Sequence, residues 1–547
     1  MSISALSNNS NLFVEKSLQF QSDNINIEQI PLPISDAKFG ILKLTAISAP
    51  MSNEIHEFIF MVDRSGSMSD KCSDGRDKMQ HILHTLKNMI IYFKDNKNIK
   101  VFINIYAFDD KIDEIVERTD INEENFDEII AKVNRISPRA STDIEKALIS
   151  IKCTIDKIQL ANPTHNICNI FMTDGEPTAG NCTTSYLSGL VDRSITNAFI
   201  GFGLDHDSGL LNSVSNGDKS AYYFIDKLEN SGLVYGEILH GIIYKVLSDV
   251  TIQCSHCLIY DYKNNIWCDS LKVVDIISES NKVYHIVSST PNSCNILLKA
   301  KANEGEFTAE YEFSIFNEDE PMDLSKYVFR QRTLQILYKI NKFIERKNSR
   351  RRNLGIFRGF ENADHDTDII DEQDMLKIEL KNFMDEMKKF MADNNLNDDG
   401  IMKNLCDDIY ISYRTFGTKF GAMYNAARQT SQGTQRLYTV SHTPDQETED
   451  LSLLRRPRLI RQTNAPRTLN LYGSSLPSPF PDLCDDLTQV GNHFDDMAHV
   501  VSNFEDSPYL TPLATQVMRE ISVGTTCDLF AQSKNYISDD DELEEAN

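Results

Sequence analysis

Two apolar runs in this chain each deliver an aspartate at their C-terminal end, and this pairing restricts the fold more than any other feature. The first, Phe58 to Val62 within EFIFMVDRSGSMS, ends at Asp63; the second, Ile167 to Met172 within NICNIFMTDGEPT, ends at Asp174. Runs of this kind, rich in Phe, Ile and Val and without polar alternation, read as strands buried on both faces. In an open parallel sheet, ligands bind in the crevice outside the C-terminal ends of such strands. Both aspartates are therefore expected in one crevice.

The residues around them share one chemistry. Ser65 and Ser67 follow Asp63 at alternate positions, and Gly66 between them lets the loop bend both hydroxyls towards a common point. Thr142, in Ser141-Thr142-Asp143 ahead of the amphipathic run Ile144 to Ile155, brings a third hydroxyl. Two carboxylates and three hydroxyls are hard oxygen donors suited to magnesium or manganese, whereas zinc would call for His or Cys.

Asp63-x-Ser65-x-Ser67, then Thr142, then Asp174-Gly175, closely resembles the von Willebrand factor A domain with a complete metal-ion-dependent adhesion site. DRSGSM and TDGEPT are typical wordings of that motif, and the resemblance covers roughly residues 54 to 248. It implies that the serines contact the metal directly, the threonine does so in some states, and the aspartates often act through water. An Asp or Glu of a protein partner would then take the open coordination position. Ser and Asp are also common helix caps, which is the competing reading of these residues. Sites in this family that have decayed usually lose at least one ligand, and none is lost here.

Alternating strand and helix patterns continue through this region. Arg76 to Phe93, Asn125 to Val133, Asp143 to Ile155, Ser208 to Ser215 and Gly232 to Leu247 read as helices. Between them, Ile99 to Phe108, Lys111 to Glu117, Ser194 to Gly201 and Ala221 to Ile225 read as strands. The right-handed crossover rule then makes the fold α/β, a doubly wound, mostly parallel, Rossmann-like sheet. His206, between Asp205 and Asp207, is expected at a solvated helix N-terminus rather than a second metal site.

The flanking segments differ in pattern. Residues 1–36 are polar and Asn/Ser-rich and are expected to be disordered. Phe39 to Ile47, within 37–50, alternates as a strand and is expected to join a small antiparallel β-sandwich at 250–320. The von Willebrand segment would then be an insertion in that sandwich, an arrangement that resembles inter-alpha-trypsin-inhibitor-like and plant RING-linked proteins of the family. Within the sandwich, Cys254-x-x-Cys257 with Cys268 and Cys294 lacks a second close pair, and strand alternation sends Cys254 and Cys257 to opposite faces, so half-buried thiols are expected rather than zinc. Residues 325–430 show apolar residues at helical spacing and predict an α-helical bundle. RKNSRRR, beginning the basic stretch Arg346 to Arg358, is read as a solvated loop. Residues 431–547 are rich in turn residues, Pro and charge and read as a mostly disordered tail in which Tyr509 to Ile521 is an apolar island suited to a docking helix.

Charge and cysteine use bound the partners. The net charge of −26 over 547 residues disfavours nonspecific binding to nucleic acid or anionic membranes and points to a protein partner. Eleven scattered cysteines fit reduced thiols. No apolar run approaches the roughly 20 residues of a membrane span, and the N-terminus carries neither a basic nor an apolar leader region, so an intracellular, cytoplasmic protein is expected. The abundance of Asn, Ile, Lys and Asp suggests an AT-rich genome, such as that of a protist or a large DNA virus, and in a virus the protein could be part of the virion. The function expected is a metal-dependent protein-binding scaffold rather than an enzyme. The alternatives are a metal-assisted hydrolase, which lacks a recognisable base; a ubiquitin-ligase-like protein, which would need the paired Cys and His of a RING; and a structural virion component.

Overall fold

The computed structural model describes residues 12–21, 36–51, 54–72, 75–203, 206–225, 228, 231–302, 305–312, 323–354, 363–418, 421–437 and 507–523. The chain starts with β1 (Phe13–Phe20), antiparallel to β2 (Lys38–Ala46), with Leu18 opposite Leu42. Residues 13–20, expected to be disordered, are thus a strand. Its alternation is carried by Leu18 and Phe20, both buried, while Glu15, Lys16 and Ser17 make the stretch look polar as a whole.

The α/β unit follows as β3 (Ile55–Asp63), α1 (Lys78–Asp95), β4 (Lys100–Phe108), β5 (Ile112–Asp120), α2 (Phe126–Val133), α3 (Ile144–Ala161), β6 (Asn166–Thr173), α4 (Thr184–Leu190), β7 (Thr196–Phe202), α5 (Ser208–Val214), β8 (Ser220–Ile225) and α6 (Ser231–Ile243). Among the described residues these strands make one sheet in the order β5-β4-β3-β6-β7-β8. All neighbours are parallel except the edge strand β5, so this is the doubly wound sheet that the alternation predicts. β3 and β6 lie side by side at its centre, with Val62 opposite Met172, which brings Asp63 beside the end of β6. Phe58, Phe60 and Val62 share one core with Leu86 and Ile90 of α1 and Leu239 and Ile243 of α6.

The expected helix Gly232 to Leu247 ends earlier, at Ile243, and β9 (Lys245–Ser255) begins almost at once. Val246 and Leu247 are strand residues, because pairing of Leu247 with Ala302 and Ile276 competes successfully with continued helix in a mostly apolar stretch. The chain continues as β10 (Leu258–Asp261), β11 (Ile266–Cys268), β12 (Ser270–Lys272), β13 (Ile276–Ile277), β14 (Asn281–Ser288), β15 (Asn295–Ala302) and β16 (Gly305–Glu312). Two antiparallel sheets result, β1-β2-β14-β10-β11 and β12-β9-β15-β16, with β13 added to β9. Leu42, Leu44 and Ile286 of one sheet and Ile252, Ile296 and Leu298 of the other form their shared core. β2 therefore lies within the sandwich, and the α/β unit is inserted between β2 and β9. Cys254 and Cys257 do not take opposite faces of one strand. They flank a turn in which His256 has φ +60°, so strand alternation does not run through them.

Helices α7 (Ser325–Leu354), α8 (Ala363–Asp393), α9 (Gly400–Thr415) and α10 (Gly421–Thr434) pack together beside the sandwich. The basic stretch expected as a loop is part of α7 up to Leu354, since Lys and Arg are good helix formers and no Gly or Pro interrupts before Gly355. The ordered chain also reaches past residue 430. Arg436 is buried and donates to Glu237 of α6 at 2.7 Å. α11 (Pro512–Ile521), within the stretch read as tail, docks on α6 and α1 through Val517, Met518 and Ile521. Other expectations for residues 438–506 and 524–547 lie outside the described residues.

Candidate metal centre

The five oxygen-bearing residues converge from three loops at the C-terminal edge of the parallel sheet. Asp63 ends β3 fully buried; its Oδ1 accepts from the Ser65 amide at 2.7 Å and its Oδ2 from Thr173 Oγ1 at 2.6 Å. Ser65 Oγ lies 3.1 Å from Ser67 Oγ, and Ser67 Oγ donates to Asp174 Oδ1 at 2.8 Å. A Cβ built on Gly175 would stand 3.5 Å from Thr142 Oγ1 and 3.9 Å from Ser67 Oγ. The hydroxyls of Thr142 and Ser67 thus border the same space, next to a residue without a side chain.

Backbone hydrogen bonds hold the three loops in register. The Gly66 amide donates to Ala140 O at 3.1 Å and the Arg139 amide to Arg64 O at 2.7 Å, joining the first loop to the second. Thr142 O accepts from the amides of Thr178 and Ala179, joining the second to the third. The Arg64 guanidinium reaches Asp109 at 3.0 Å and Asp113 at 2.6 Å, and Arg139 also bonds Asp109, which is buried. This ion-pair cluster braces the loops from outside the donor set.

The capping alternative can be checked residue by residue. Ser65 precedes a short 3₁₀ turn, Gly66–Ser69, but makes no side-chain cap hydrogen bond. α3 is capped by Asp143, whose carboxylate accepts from the Lys146 amide, and not by Thr142. Capping therefore does not account for the hydroxyls of Ser65 and Thr142.

The electrostatics are those of two carboxylates in a confined space. Burial pushes the Asp63 carboxyl up to about 6, against the hydrogen bonds from Thr173 and Ser65, and the charge of Asp174 adds to the rise. Asp174, also fully buried, has its Oδ2 2.7 Å from Lys78 Nζ. Burial opposes the charge on Lys78, but Asp174, with Asp70 at 3.5 Å, outweighs it and raises the ammonium above its ordinary range. Among the described residues no cluster of three or more His, Cys, Asp or Glu is placed to hold a metal. This site has a different composition, two carboxylates and three hydroxyls, and that donor set fits a hard divalent cation.

Sequence reasoning missed Thr173 and Lys78. Thr173 precedes Asp174 and was legible only as the last residue of its strand. Lys78 carried a signal: a cation in the first turn of α1, directly after the Asp77 cap, opposes the helix dipole and so calls for a partner. His206, expected in solvent, is buried instead, with Nε2 2.6 Å from Tyr222 Oη and Nδ1 2.8 Å from Gly203 O. The capping role falls to Asp207, which accepts from the Leu210 amide at 2.9 Å.

Residues 57–235 match the family model of the von Willebrand factor type A domain. No curated protein matches the chain. Solved structures similar to it include a von Willebrand factor type A protein from Catenulispora acidiphila, at 14% identity and TM-score 0.43 over 62% of this chain and 84% of that one. The ArnB paralog VWA2 from Sulfolobus acidocaldarius aligns at 13% identity and TM-score 0.46 over 77% and 98%. Proximal thread matrix protein 1 from the mussel byssus, with a zinc-occupied MIDAS motif, aligns at 16% identity and TM-score 0.29 over 38% and 51%.

Proposed function

We propose, from the match of residues 57–235 to the family model of the von Willebrand factor type A domain, that the chain is a metal-dependent protein-binding scaffold. Asp63, Ser65, Ser67, Thr142 and Asp174 would hold one magnesium or manganese ion, and an Asp or Glu of a partner protein would complete its coordination. The observation that carries this reading is the convergence of those five oxygen side chains beside Gly175. A bound divalent ion would supply a Lewis-acidic position able to take one further oxygen anion. The protein's own residues do the rest. Thr173 and the Ser65 amide orient Asp63, Ser67 orients Asp174, and Gly175 keeps the approach open.

Binding suits this arrangement better than catalysis. Glu176, the acid next in sequence to the site, is exposed, and the Lys78 ammonium is engaged by Asp174. Neither is set to take a proton from a nucleophile in the site. Among the described residues no helix is long and apolar enough to cross a membrane. The proposed partner is a protein that presents a carboxylate.

The test is a pull-down with the full chain as bait in magnesium, in manganese, in zinc and in EDTA, repeated with Asp63→Ala. Capture of a partner in magnesium or manganese that is lost in EDTA and in the variant supports the reading. Capture that survives both would refute it.

A further inference from the structure

Lys78 stands in an expensive place for a cation. It is the first residue of α1, immediately after the cap Asp77, where the helix dipole presents its positive end. Its side chain is only 12% exposed, so it has lost most of its water as well. The structure compensates through Asp174, whose Oδ2 accepts from Nζ at 2.7 Å, while Asp70 reaches the ammonium from the solvent side at 3.5 Å. The stem passes Gly203, where a Cβ would stand 3.9 Å from Cε and 4.0 Å from Nζ of Lys78, an ordinary contact.

The consequence lies at Asp174. One of its oxygens accepts from Ser67 and the other from Lys78, so both oxygens of the carboxylate already have a protein donor. A divalent ion that draws on Asp174, directly or through water, meets an ammonium already seated against the same carboxylate. Two positive centres a few Å apart in a partly desolvated site repel each other strongly. Lys78 is tethered through four methylenes to a fixed helix and cannot diffuse away, but its stem can swing the ammonium towards Asp70 and solvent.

We propose that Lys78 is a tethered counter-cation, seated on Asp174 when the divalent ion is absent and competing with it for that carboxylate, so that this residue sets the ion affinity of the site. The inference rests on the metal-centre reading above and adds a regulator to it. Without its ammonium the site would hold the ion more tightly, and with it the ion exchanges more readily. Lys78 is thus a residue that weakens ion binding although it sits among the ligands.

The experiment titrates manganese into the full chain and follows free ion by electron paramagnetic resonance, comparing wild type, Lys78→Met, Lys78→Arg and Asp63→Ala. Thermal melts with and without manganese accompany each titration. The expected result is at least about tenfold tighter manganese binding for Lys78→Met, a wild-type-like affinity for Lys78→Arg, and a larger manganese-induced rise in melting temperature for Lys78→Met than for wild type. Unchanged or weaker binding by a folded Lys78→Met, with wild type binding normally, would overturn the inference and make Lys78 a positioning residue for Asp174. If neither folded wild type nor Lys78→Met binds manganese, the metal-centre reading itself fails and this inference falls with it. If wild type fails to bind and Lys78→Met binds, competition by the ammonium is supported in its strongest form.

Discussion

Gly236→Ala should loosen the seat of α11 on the α/β unit. Gly236 lies in the middle of α6, and an ideal Cβ there would stand 2.5 Å from Met518 Cα and 2.9 Å from Met518 N and Cγ. The first two are backbone atoms, so no rotamer change relieves the contact and α11 itself has to move outward. Overpacking of this kind costs about 1–3 kcal/mol. Removing a mid-helix glycine returns about 0.5–1 kcal/mol through helix propensity. The net expectation is a loss of about 0–2.5 kcal/mol, centred near 1 kcal/mol. The loss has a ceiling, because α11 can undock and the total cannot exceed what its docking contributes.

Two measurements test that reasoning. Urea melts give the loss in stability, and hydrogen exchange locates it: amides of residues 512–521 should lose protection in Gly236→Ala while those of the central strand β3 keep theirs. Met518→Ala attacks the same contact from the other side and should cost about 2–5 kcal/mol as a buried truncation. The double variant should cost less than the sum, because the two residues touch. A neutral or stabilising Gly236→Ala with unchanged exchange in 512–521 would mean that α11 is not seated where the glycine leaves room for it.

The site itself carries further expectations. Thr142→Ala should weaken manganese binding by about tenfold, the low end of the roughly 10–100-fold that losing a supporting group costs a metal site, while the melting temperature measured without manganese stays nearly constant; a large fall in that temperature would assign the hydroxyl to the fold instead. The pH dependence has a definite sign. With Asp63 raised to about 6 by burial, its protonated form contributes stability that is present below about pH 4 and lost as pH rises through about 6. Ion binding needs the carboxylate, so the magnesium-induced rise in melting temperature should be larger near pH 7.5 than near pH 5. An equal rise at both would show that Asp63 does not take part.

How much was legible beforehand depended on the distance over which the information is carried. The convergence of the five candidate donors could be read because each lies at the end of a strand or helix whose pattern is local, and residue chemistry alone defines a hard-oxygen set. The β-sandwich and the placement of β2 in it followed from period-two alternation, which is also local. β1 was missed because polar Asn and Ser dominate residues 1–11 and only Leu18 and Phe20 of the strand are buried. The end of α6 was misplaced because GLVYGEILHGIIYKVL is apolar almost throughout, and the switch from helix to strand at Tyr244 is decided by pairing with β13 and β15, partners that lie further along the chain. Lys78 has the same character: its partner Asp174 is 96 residues away, and only the misfit of a cation with a helix N-terminus hinted at it.

One helix connects the candidate metal centre to α11. α1 carries Lys78 at its first residue and, further along, His84 and Asn88, which hold the end of α11. His84 Nε2 lies 2.9 Å from Val523 O, and Asn88 Nδ2 donates to Ile521 O at 2.7 Å and to Val523 O at 2.9 Å. Thr85 of the same helix hydrogen-bonds Ser231 at the start of α6, and α6 runs through Tyr244 into β9 of the sandwich. Any change in the position of α1 that accompanies exchange of the ammonium for an ion at Asp174 therefore acts on α11 and α6 through direct contacts. The coupling can be no larger than the ion's differential affinity for the two arrangements, which for such systems is typically about 1–3 kcal/mol. Hydrogen exchange of the full chain with and without manganese measures it: a change in protection over residues 507–523, with Asp63→Ala as the control that abolishes it, is the expected result. If manganese binds and protection there is unchanged, α1 holds the site and α11 as independent attachments, and the protein is a rigid metal-dependent adaptor.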